Sequence, residues 1–275
     1  MSDLFTLSGK VALVVGGRGY LGQRFCTVMT QAGATVFSAD LPKQSLAAKK
    51  AGKGTEPPAI TQKNVDVTDA SSVSTLVADI VAETGRLDVL VYAATAKAKD
   101  FFAPFTECSL EGWKRVLAAE LDGAFLVAQA TGKIMEKQKK GSIIFLSSIY
   151  GIVGNDQRIY EDSNLASLYA DDDQRKGEIV SHGAYNTAKG GIIAFTRYLA
   201  AYWGHIGIRV NCISPGGMWH PGESEDFVSK YSLKVPMGRK GKTEELDGAL
   251  LYLASDASSY VTGHNLIVDG GWTAW

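Results

Sequence analysis

The chain has 275 residues, of which 45% are apolar and 21% charged, a composition typical of a globular protein that can bury a substantial core. Its formal net charge is −1 and its pI is near 6.4. These values exclude the basic pattern of a nucleic-acid binder, and no apolar stretch reaches the roughly 18 residues that a membrane span needs. We therefore expect a small-molecule substrate, with no nucleic acid and no membrane as partner.

The N-terminal segment and the cysteines indicate the compartment. Residues 1–10 contain no basic segment followed by an apolar run, so we expect a cytoplasmic protein. The three cysteines are odd in number and widely spaced, and the four histidines lack the spacing of metal ligands. We expect neither a disulfide framework nor a metal site.

Short apolar segments alternate along the chain with longer segments whose apolar residues have helical spacing. This alternation is typical of βαβ units, and strands that are apolar throughout are covered by helices on both faces. The predicted fold class is therefore α/β, a doubly wound parallel sheet in a three-layer αβα Rossmann fold, built as a single domain over 1–275. The strand segments are 11–15, 35–39, 87–92, 142–146, 209–213 and 265–268, and the helical segments are 19–32, 69–84, 110–137 and 184–203.

One polar segment, residues 152–183, interrupts this alternation between a predicted strand and the next helix. Long loops in compact domains are usually functional lids or disordered segments. We expect an inserted lid on the substrate side, and a merely solvated insertion is the alternative.

A glycine-rich turn follows the first predicted strand and precedes a helix that we expect to begin at Gln23. Glycines at such a turn allow a tight bend, close approach of a pyrophosphate and close packing of the helix on the sheet. The amides at the helix N-terminus then face the anion. The residues expected to bind a dinucleotide here are Gly16, Arg18, Gly19, Tyr20, Leu21 and Gly22.

Two aspartates are candidates for the adenosine side. Asp40 ends the second strand, 18 residues after Gly22, where an acidic residue accepts hydrogen bonds from a ribose and repels a 2′-phosphate. NAD is therefore predicted over NADP, although Arg18 could still pair with a phosphate. Asp66 could receive the adenine amino group, or it could belong to an ordinary helix-capping turn with Asp69.

Tyr185 and Lys189 are four residues apart, on one face of a predicted helix. Reduction of a carbonyl by hydride needs a proton, and the reverse reaction needs a base. A tyrosine serves at neutral pH when a neighbouring cation lowers its pKa. Ser148 follows the strand segment 142–146, where its hydroxyl could hold the substrate oxygen. Taken singly, neither the Tyr–Lys pair nor the serine is specific.

Several motifs follow one another along the chain: the glycine turn, Asp40, Asn64-Val65-Asp66-Val67, Ser147-Ser148, Tyr185 with Lys189, Arg209-Val210-Asn211, Ser214-Pro215-Gly216 and Val268-Asp269-Gly270-Gly271. Together and in this order, they resemble the short-chain dehydrogenase/reductase family over nearly the whole chain. The resemblance implies that Tyr185 is the general acid/base, that Ser148 orients the substrate oxygen, and that Lys189 lowers the tyrosine pKa and holds the nicotinamide ribose. It further implies cofactor contacts at Asp66, Val67, Ala93, Pro215, Gly216 and Met218.

The chain departs from the family pattern at four places. Val15 and the GxxGxxG spacing replace the usual glycine turn of the compact branch, and Tyr92-Ala93-Ala94-Thr95 lacks the amide side chains that usually brace the loop after the fourth strand. Glu120 stands where a helix asparagine usually anchors a water linked to the lysine, which puts the proton relay in doubt. Ser148 and Tyr185 are 37 residues apart because the insertion 152–183 lies between them.

The polar residues after Ser148 suit a carbohydrate-like substrate, because they offer many hydrogen-bond partners. The predicted function is an NAD-dependent oxidoreductase that interconverts a secondary alcohol and a ketone. Two alternatives are an epimerase or dehydratase that retains NAD, suggested by the GxxGxxG spacing, and a non-catalytic NAD-binding module, suggested by Glu120 and Tyr92.

The resemblance also implies a homodimer or homotetramer, formed through the helices that carry Glu120 and Tyr185. We expect Trp219 and His220 to wall the pocket, and Trp272 and Trp275 to pack at a subunit contact.

Overall fold

The computed structural model describes residues 4–42, 60–165, 168 and 183–275. In this part of the chain seven parallel strands form one sheet in the order β3-β2-β1-β4-β5-β6-β7. The predicted doubly wound α/β fold is confirmed. The third strand was not among the predicted ones, because its sequence TQKN is polar and mostly exposed at the sheet edge. The strands are β1 Val11–Val15, β2 Thr35–Asp40, β3 Thr61–Asn64, β4 Val89–Tyr92, β5 Gly141–Leu146, β6 Ile208–Pro215 and β7 Asn265–Val268.

The helices differ from the prediction in three respects. The first begins at Tyr20 rather than Gln23. The predicted helix 110–137 is two helices joined by a π-helical turn, Ala118–Asp122. Two short helices near the C-terminus were not predicted, because eight residues give a weak periodic signal. The helices are α1 Tyr20–Gln31, α2 Ala70–Thr84, α3 Leu110–Leu117, α4 Gly123–Gln138, α5 Gly183–Trp203, α6 Glu225–Ser232 and α7 Asp247–Ala254.

Helices cover both faces of the sheet. Side chains alternate between the two faces of a strand, and in β1 Leu13 packs into one buried cluster with Ile80 of α2. Its neighbour Val14 packs into the other cluster with Phe25 of α1 and Leu250 of α7. Burial on both faces explains why the sequence of β1 is continuously apolar instead of alternating.

The strand order reverses direction between β1 and β4, because β2 and β3 extend to one side and β5 to β7 to the other. In a doubly wound sheet the crevice for a ligand lies at this switch point, beyond the carboxyl ends of the strands. The loops that follow β1, β4, β5 and β6 therefore meet there.

The first part of the insertion packs against α6. Ile159 and Tyr160 are buried, and the Tyr160 ring stacks on Phe227 of α6 with ring centroids 5.8 Å apart. The remainder of the predicted lid, residues 166–182 apart from Leu168, lies outside the described residues. No helix in the described ranges is long and apolar enough to cross a bilayer.

Candidate active site

A cavity of about 400 Å³ opens at the carboxyl ends of β1, β4, β5 and β6. A larger cavity of about 700 Å³, around Lys10, Lys140 and Arg209 at the opposite end of the sheet, contains none of the predicted site residues. Arg18, Asp40, Asp66, Val67 and Glu120 do not line the 400 Å³ cavity. The predicted residues that do line it are Gly16, Gly19, Tyr20, Leu21, Gly22, Ala93, Ser148, Tyr185, Lys189, Pro215, Gly216 and Met218.

The glycine turn brings the loops after β1 and β4 into close approach. Gly16 has φ +80°, and a Cβ there would lie 2.6 Å from the Ala93 carbonyl carbon. A Cβ on Gly22 would lie 2.0 Å from the Gly16 oxygen, so α1 packs directly on the turn. At Gly19 a Cβ would meet a single atom within 4 Å, the Gly16 oxygen at 3.2 Å. The turn is thus packed beneath α1 and open at the helix N-terminus.

Asp40 lies at the end of β2, with both carboxylate oxygens bonded to backbone amides. Oδ2 accepts from the Arg18 amide at 3.0 Å and Oδ1 from the Leu41 amide at 2.9 Å. The Arg18 guanidinium donates to the Leu41 carbonyl at 2.6 Å and to Asn64 Oδ1 at 3.0 Å. A carboxylate and a guanidinium therefore lie together at the ends of β2 and β3, beside the glycine turn.

The segment after β3 contains a helix cap and an exposed aspartate. Asp69 caps α2 by accepting a hydrogen bond from the Ser71 amide at 2.8 Å. The Asp66 Oδ1 accepts from the amide and the hydroxyl of Thr68, at 2.9 and 2.6 Å. The capping turn is therefore present, and a contact of Asp66 or Val67 with a cofactor stays a prediction.

The predicted catalytic side chains converge at one side of the cavity. The Lys189 Nζ lies 5.3 Å from the centroid of the Tyr185 ring, and it donates to the Leu146 carbonyl at the end of β5 at 3.0 Å. The Ser147 hydroxyl donates to the Lys189 carbonyl at 2.8 Å, which fixes the end of β5 against α5. Ser148, the next residue, lies close enough to the Tyr185 phenol for its hydroxyl to lower the pKa of the phenol.

Glu120 lies directly beneath this group, in the π-helical turn. Its Oε2 is 3.0 Å from the Lys189 Nζ, and the side chains of Glu120 and Lys189 are 0% and 6% exposed. Insertion of one residue into a helix by a π turn redirects the neighbouring side chains and is frequent at functional sites. A direct ion pair occupies the position for which the family pattern implies an asparagine and a water.

The altered loop after β4 contacts the same π turn. The Tyr92 hydroxyl donates to the Ala119 carbonyl, and the Thr95 hydroxyl donates to the Glu120 Oε1 at 2.5 Å. The loop that lost its amide side chains is therefore braced by a phenol and a hydroxyl. Two of the departures from the family pattern, in the β4 loop and at Glu120, are linked by these contacts.

Burial and charge act in opposite directions on Tyr185. Burial raises the pKa of the Tyr185 phenol, the Lys189 ammonium and the Ser148 hydroxyl lower it, and the Glu120 carboxylate raises it. The net effect on the Tyr185 pKa is a rise. Burial lowers the pKa of Lys189, but the Glu120 carboxylate and the Tyr185 phenol more than offset this effect, so Lys189 stays protonated.

The far wall of the cavity combines Tyr150 and Tyr160, from the polar stretch after Ser148 that the sequence analysis related to a carbohydrate-like substrate, with residues that no sequence pattern identified. These residues come from the turn after β5, from the insertion, from α6 and the loop before it, and from the segment before α7, which converge only in the folded chain. No motif marks Glu223, Tyr231 or Lys240, although the buried charge of Glu223 and Lys240 is unusual for any pocket wall. The polar members are Tyr150, Tyr160, Glu223, Tyr231 and Lys240.

Two predictions about tryptophans need correction. Trp219 and His220 do not line the cavity; the Tyr20 hydroxyl donates to the Trp219 carbonyl at 2.5 Å, and the Tyr20 and His220 rings lie 4.6 Å apart. Trp272 is buried within the subunit, stacked on Tyr231 at 4.4 Å, because α6 supplies an apolar surface for it. Trp275 is 80% exposed, and a subunit contact there stays a prediction.

Comparison with known proteins agrees with this geometry. A sequence profile described as "short chain dehydrogenase" matches residues 10–160, and one described as "Enoyl-(Acyl carrier protein) reductase" matches residues 173–273. The chain is 33% identical to a D-threitol dehydrogenase of Mycolicibacterium smegmatis, over 98% of this chain and 95% of the relative. It is 31% identical to an NADP-dependent mannitol dehydrogenase of Alternaria alternata, over 99% and 95%.

Among solved structures, a short-chain dehydrogenase from Leptospira borgpetersenii with bound NAD⁺ superimposes with a TM-score of 0.81 at 31% identity. The match covers 99% of this chain and 96% of that one. The chain belongs to the short-chain dehydrogenase/reductase family. The predicted family, Rossmann fold and nicotinamide-dependent oxidoreductase class are therefore confirmed.

Proposed function

We propose that this protein uses NAD to interconvert a secondary alcohol and a ketone on a polyhydroxylated, carbohydrate-like substrate. The observation that carries the proposal is the convergence of Ser148, Tyr185 and Lys189 at one side of the cavity, with the Lys189 Nζ 5.3 Å from the Tyr185 ring centroid. A phenol paired with a buried cation and a hydroxyl can exchange a proton with a substrate oxygen.

The described residues fit a dinucleotide. The N-terminus of α1 has neither a capping side chain nor an acidic residue in its first turn, so its amides are available to an anion. The open space at Gly19 admits a pyrophosphate that any side chain there would crowd. The loop Pro215 to Met218 lines the same cavity, where it would hold the nicotinamide end.

We assign the proton transfer to Tyr185. The bound nicotinamide supplies or accepts the hydride at the carbinol carbon. During oxidation the Tyr185 phenolate takes the hydroxyl proton of the alcohol, and during reduction the phenol returns a proton to the carbonyl oxygen. Ser148 holds the same oxygen, and the Lys189 ammonium stabilises the phenolate.

Glu120 would replace the water-mediated anchor of the lysine with a direct one. The carboxylate accepts from Thr95 and pairs with Lys189, so the ammonium is fixed without an intervening asparagine. The same charge opposes the effect of Lys189 on Tyr185, because a nearby anion disfavours a phenolate. Glu120 is therefore a positioning residue that also tunes the acid/base group.

NAD is preferred to NADP in this proposal because Asp40 ends β2. Its carboxylate suits the two ribose hydroxyls, and a 2′-phosphate would meet a like charge. Arg18 is held by the Leu41 carbonyl and by Asn64, and its recruitment to a phosphate would cost these hydrogen bonds.

The substrate class rests on the polar wall of the cavity and on the relatives. Three tyrosines, Tyr150, Tyr160 and Tyr231, line the cavity together with a lysine and a glutamate. Groups of this kind recognise hydroxyls, and a site built to bond a hydroxyl discriminates strongly against its absence. The relatives named for threitol and mannitol support a polyol.

We also propose a homodimer or homotetramer joined through an apolar patch on the π turn, α4 and α5. The patch consists of Leu121, Phe125, Phe195 and Tyr198, with Phe125 48% and Tyr198 62% exposed. Exposed contiguous apolar surface is typical of an interface. A cytoplasmic location stays a prediction.

The proposal is tested by following NADH absorbance while NAD is incubated with a panel of polyols. We expect the Tyr185→Phe variant to lose about 10²–10⁴-fold in kcat, because the phenylalanine cannot exchange a proton. An unchanged NADH signal during substrate conversion would indicate an epimerase or dehydratase that retains its cofactor. NAD binding without any reaction would indicate a binding module.

A further inference from the structure

A second charged pair faces the cavity, away from Tyr185 and Lys189. The Lys240 Nζ lies 2.5 Å from the Glu223 Oε1, and these side chains are 4% and 2% exposed. Both residues line the cavity. Glu223 belongs to the loop before α6 and Lys240 to the segment before α7, so folding brings them together.

The aromatic side chains around the pair separate it from bulk solvent. The Lys240 Nζ lies 4.7 Å from the Phe227 ring centroid and 5.3 Å from that of Tyr231. Burial lowers the pKa of Lys240, and the Glu223 carboxylate opposes this effect. The charged groups have therefore lost much of their hydration.

Stability is a weak explanation for such a pair. Removing two charges from water often costs more free energy than their mutual attraction recovers. A protein in which apolar residues of similar volume replace such a pair is commonly as stable or more stable. A charged pair that faces a ligand cavity has a functional explanation instead, because it offers a donor and an acceptor side by side.

The hydrogen-bonding groups of the pair match those of neighbouring hydroxyls. An ammonium has three N–H donors, and in the described part of the chain the Lys240 Nζ has Glu223 as its hydrogen-bond acceptor. The Glu223 Oε2 accepts from the His220 amide at 3.2 Å, which holds the carboxylate in place. One substrate hydroxyl could accept from the ammonium while its neighbour donates to the carboxylate. The zero net charge of the pair favours a neutral polyol over a sugar acid.

We propose that Lys240 and Glu223 form the specificity site for the hydroxyl groups of the substrate that lie beyond the reacting carbinol. This inference rests on the proposed function, since it names the part of the same cavity that selects a polyol. The Tyr231 phenol oxygen accepts a hydrogen bond from the Gly217 amide, and Tyr231 thereby links the pair to the loop that follows β6.

The experiment compares two alcohols with the same carbon chain. D-Threitol and butane-2,3-diol both have vicinal secondary hydroxyls, and butane-2,3-diol lacks the terminal ones. The measurement is kcat/KM for each alcohol with NAD, in the wild type and in a Lys240→Met, Glu223→Leu double variant. The double variant removes both charges together, so neither is left buried without its partner.

We expect the wild type to prefer threitol, and the ratio of the two kcat/KM values to fall about 10-fold or more in the double variant. The matched control is Lys230→Met with Asp226→Asn, which removes an ion pair of 2.8 Å on α6 that does not line the cavity. The control should keep the wild-type ratio. Thermal melting and NAD binding of each variant report whether it is folded.

A purely structural pair would lower both kcat/KM values equally, and an unchanged ratio would overturn the inference. A wild type that oxidises butane-2,3-diol as well as threitol, or that prefers a sugar acid, would also overturn it. Failure of the wild type to oxidise any alcohol with NAD or NADP would instead count against the proposed function itself. If the double variant does not fold, the same ratio of kcat/KM values is measured in a Lys240→Gln, Glu223→Gln double variant, whose side chains are polar and uncharged.

Discussion

Glu120 is the residue at which the chemistry of this chain differs most from the pattern of its family. A buried carboxylate 3.0 Å from the Lys189 Nζ holds the ammonium and at the same time raises the pKa of Tyr185. The two effects oppose each other for catalysis, because a firmly held cation favours the phenolate and a nearby anion disfavours it.

Glu120→Gln should therefore move the pH profile of alcohol oxidation to lower pH. Oxidation needs the Tyr185 phenolate, so kcat/KM rises as pH passes upward through the Tyr185 pKa. Loss of the carboxylate lowers the pKa of Tyr185, so the rising limb of the profile shifts to lower pH. It also lowers the pKa of Lys189, so the pH at which the ammonium loses its charge shifts in the same direction. Glu120→Asp retains the charge and is the control. A profile that Glu120→Gln leaves in place would contradict the role assigned to the carboxylate.

In the proposed function, Asp40 selects NAD over NADP. Asp40→Ser removes the charge that would repel a 2′-phosphate and leaves Arg18 nearby as a partner for it. We expect the ratio of kcat/KM with NADP to that with NAD to increase about 10-fold or more, a difference of about 1.4 kcal/mol. Asp66→Asn, farther along the adenosine side, should leave the ratio unchanged. A ratio that stays constant in Asp40→Ser would argue that Arg18 or another group selects the cofactor.

At the scale of elements, the turn after β5 and helix α5 are in backbone contact where they carry the proposed catalytic groups. The turn Ile149–Gly151 follows Ser148, and a Cβ on Gly151 would lie 2.6 Å from the Lys189 carbonyl carbon. The nearest neighbours of Gly151 are backbone atoms, so movement of a flexible side chain cannot make room for a Cβ there. The glycine is what allows Ser148 to approach Tyr185.

Gly151→Ala should therefore separate the turn from α5 and displace Ser148. A displacement of about 1 Å can cost on the order of 10²-fold in rate, and we expect a loss of kcat of that order while NAD binding persists. Gly154→Ala lies in the same loop, with no atom within 4 Å of its Cβ, and should behave as the wild type. Equal activity of the two variants would show that the close approach is not needed for catalysis.

At the scale of the whole molecule, the apolar patch on the π turn, α4 and α5 lies beside the proposed catalytic groups, because Glu120 belongs to the π turn and Tyr185 to α5. Association through the patch would fix the positions of Glu120 and Tyr185 relative to each other, because a second copy would contact the elements that carry both residues. Phe125→Glu introduces a charge into the patch and should shift the protein toward the monomer in light scattering after size exclusion. Leu233→Glu changes a side chain that is 79% exposed elsewhere and is the control. A wild-type protein that is monomeric in solution would contradict the proposed homodimer or homotetramer.

Much of the molecule could be predicted from the sequence by itself, because the signals are local. Apolar segments predicted most of the strands, and the glycine turn after β1 indicated where a dinucleotide would bind. The four-residue spacing of Tyr185 and Lys189 predicted that both lie on one face of a helix. These features depend on neighbours in the chain, so periodicity and spacing report them. The polar edge strand β3 and the break in the predicted helix 110–137 were missed, since packing rather than propensity decides both.

The tertiary structure decided which charges meet. Thr95 bonds Glu120 across 25 residues, Glu120 pairs with a lysine on another helix, and Glu223 pairs with Lys240 at the cavity wall. No spacing rule predicts such contacts, because a buried ion pair depends on the positions of two elements after folding and on the solvent they exclude. The sequence alone thus determined the family and pointed to Tyr185 and Lys189 as the proposed proton-transfer pair, whereas the contact of Glu120 with this pair and the meeting of Glu223 with Lys240 arise from long-range packing.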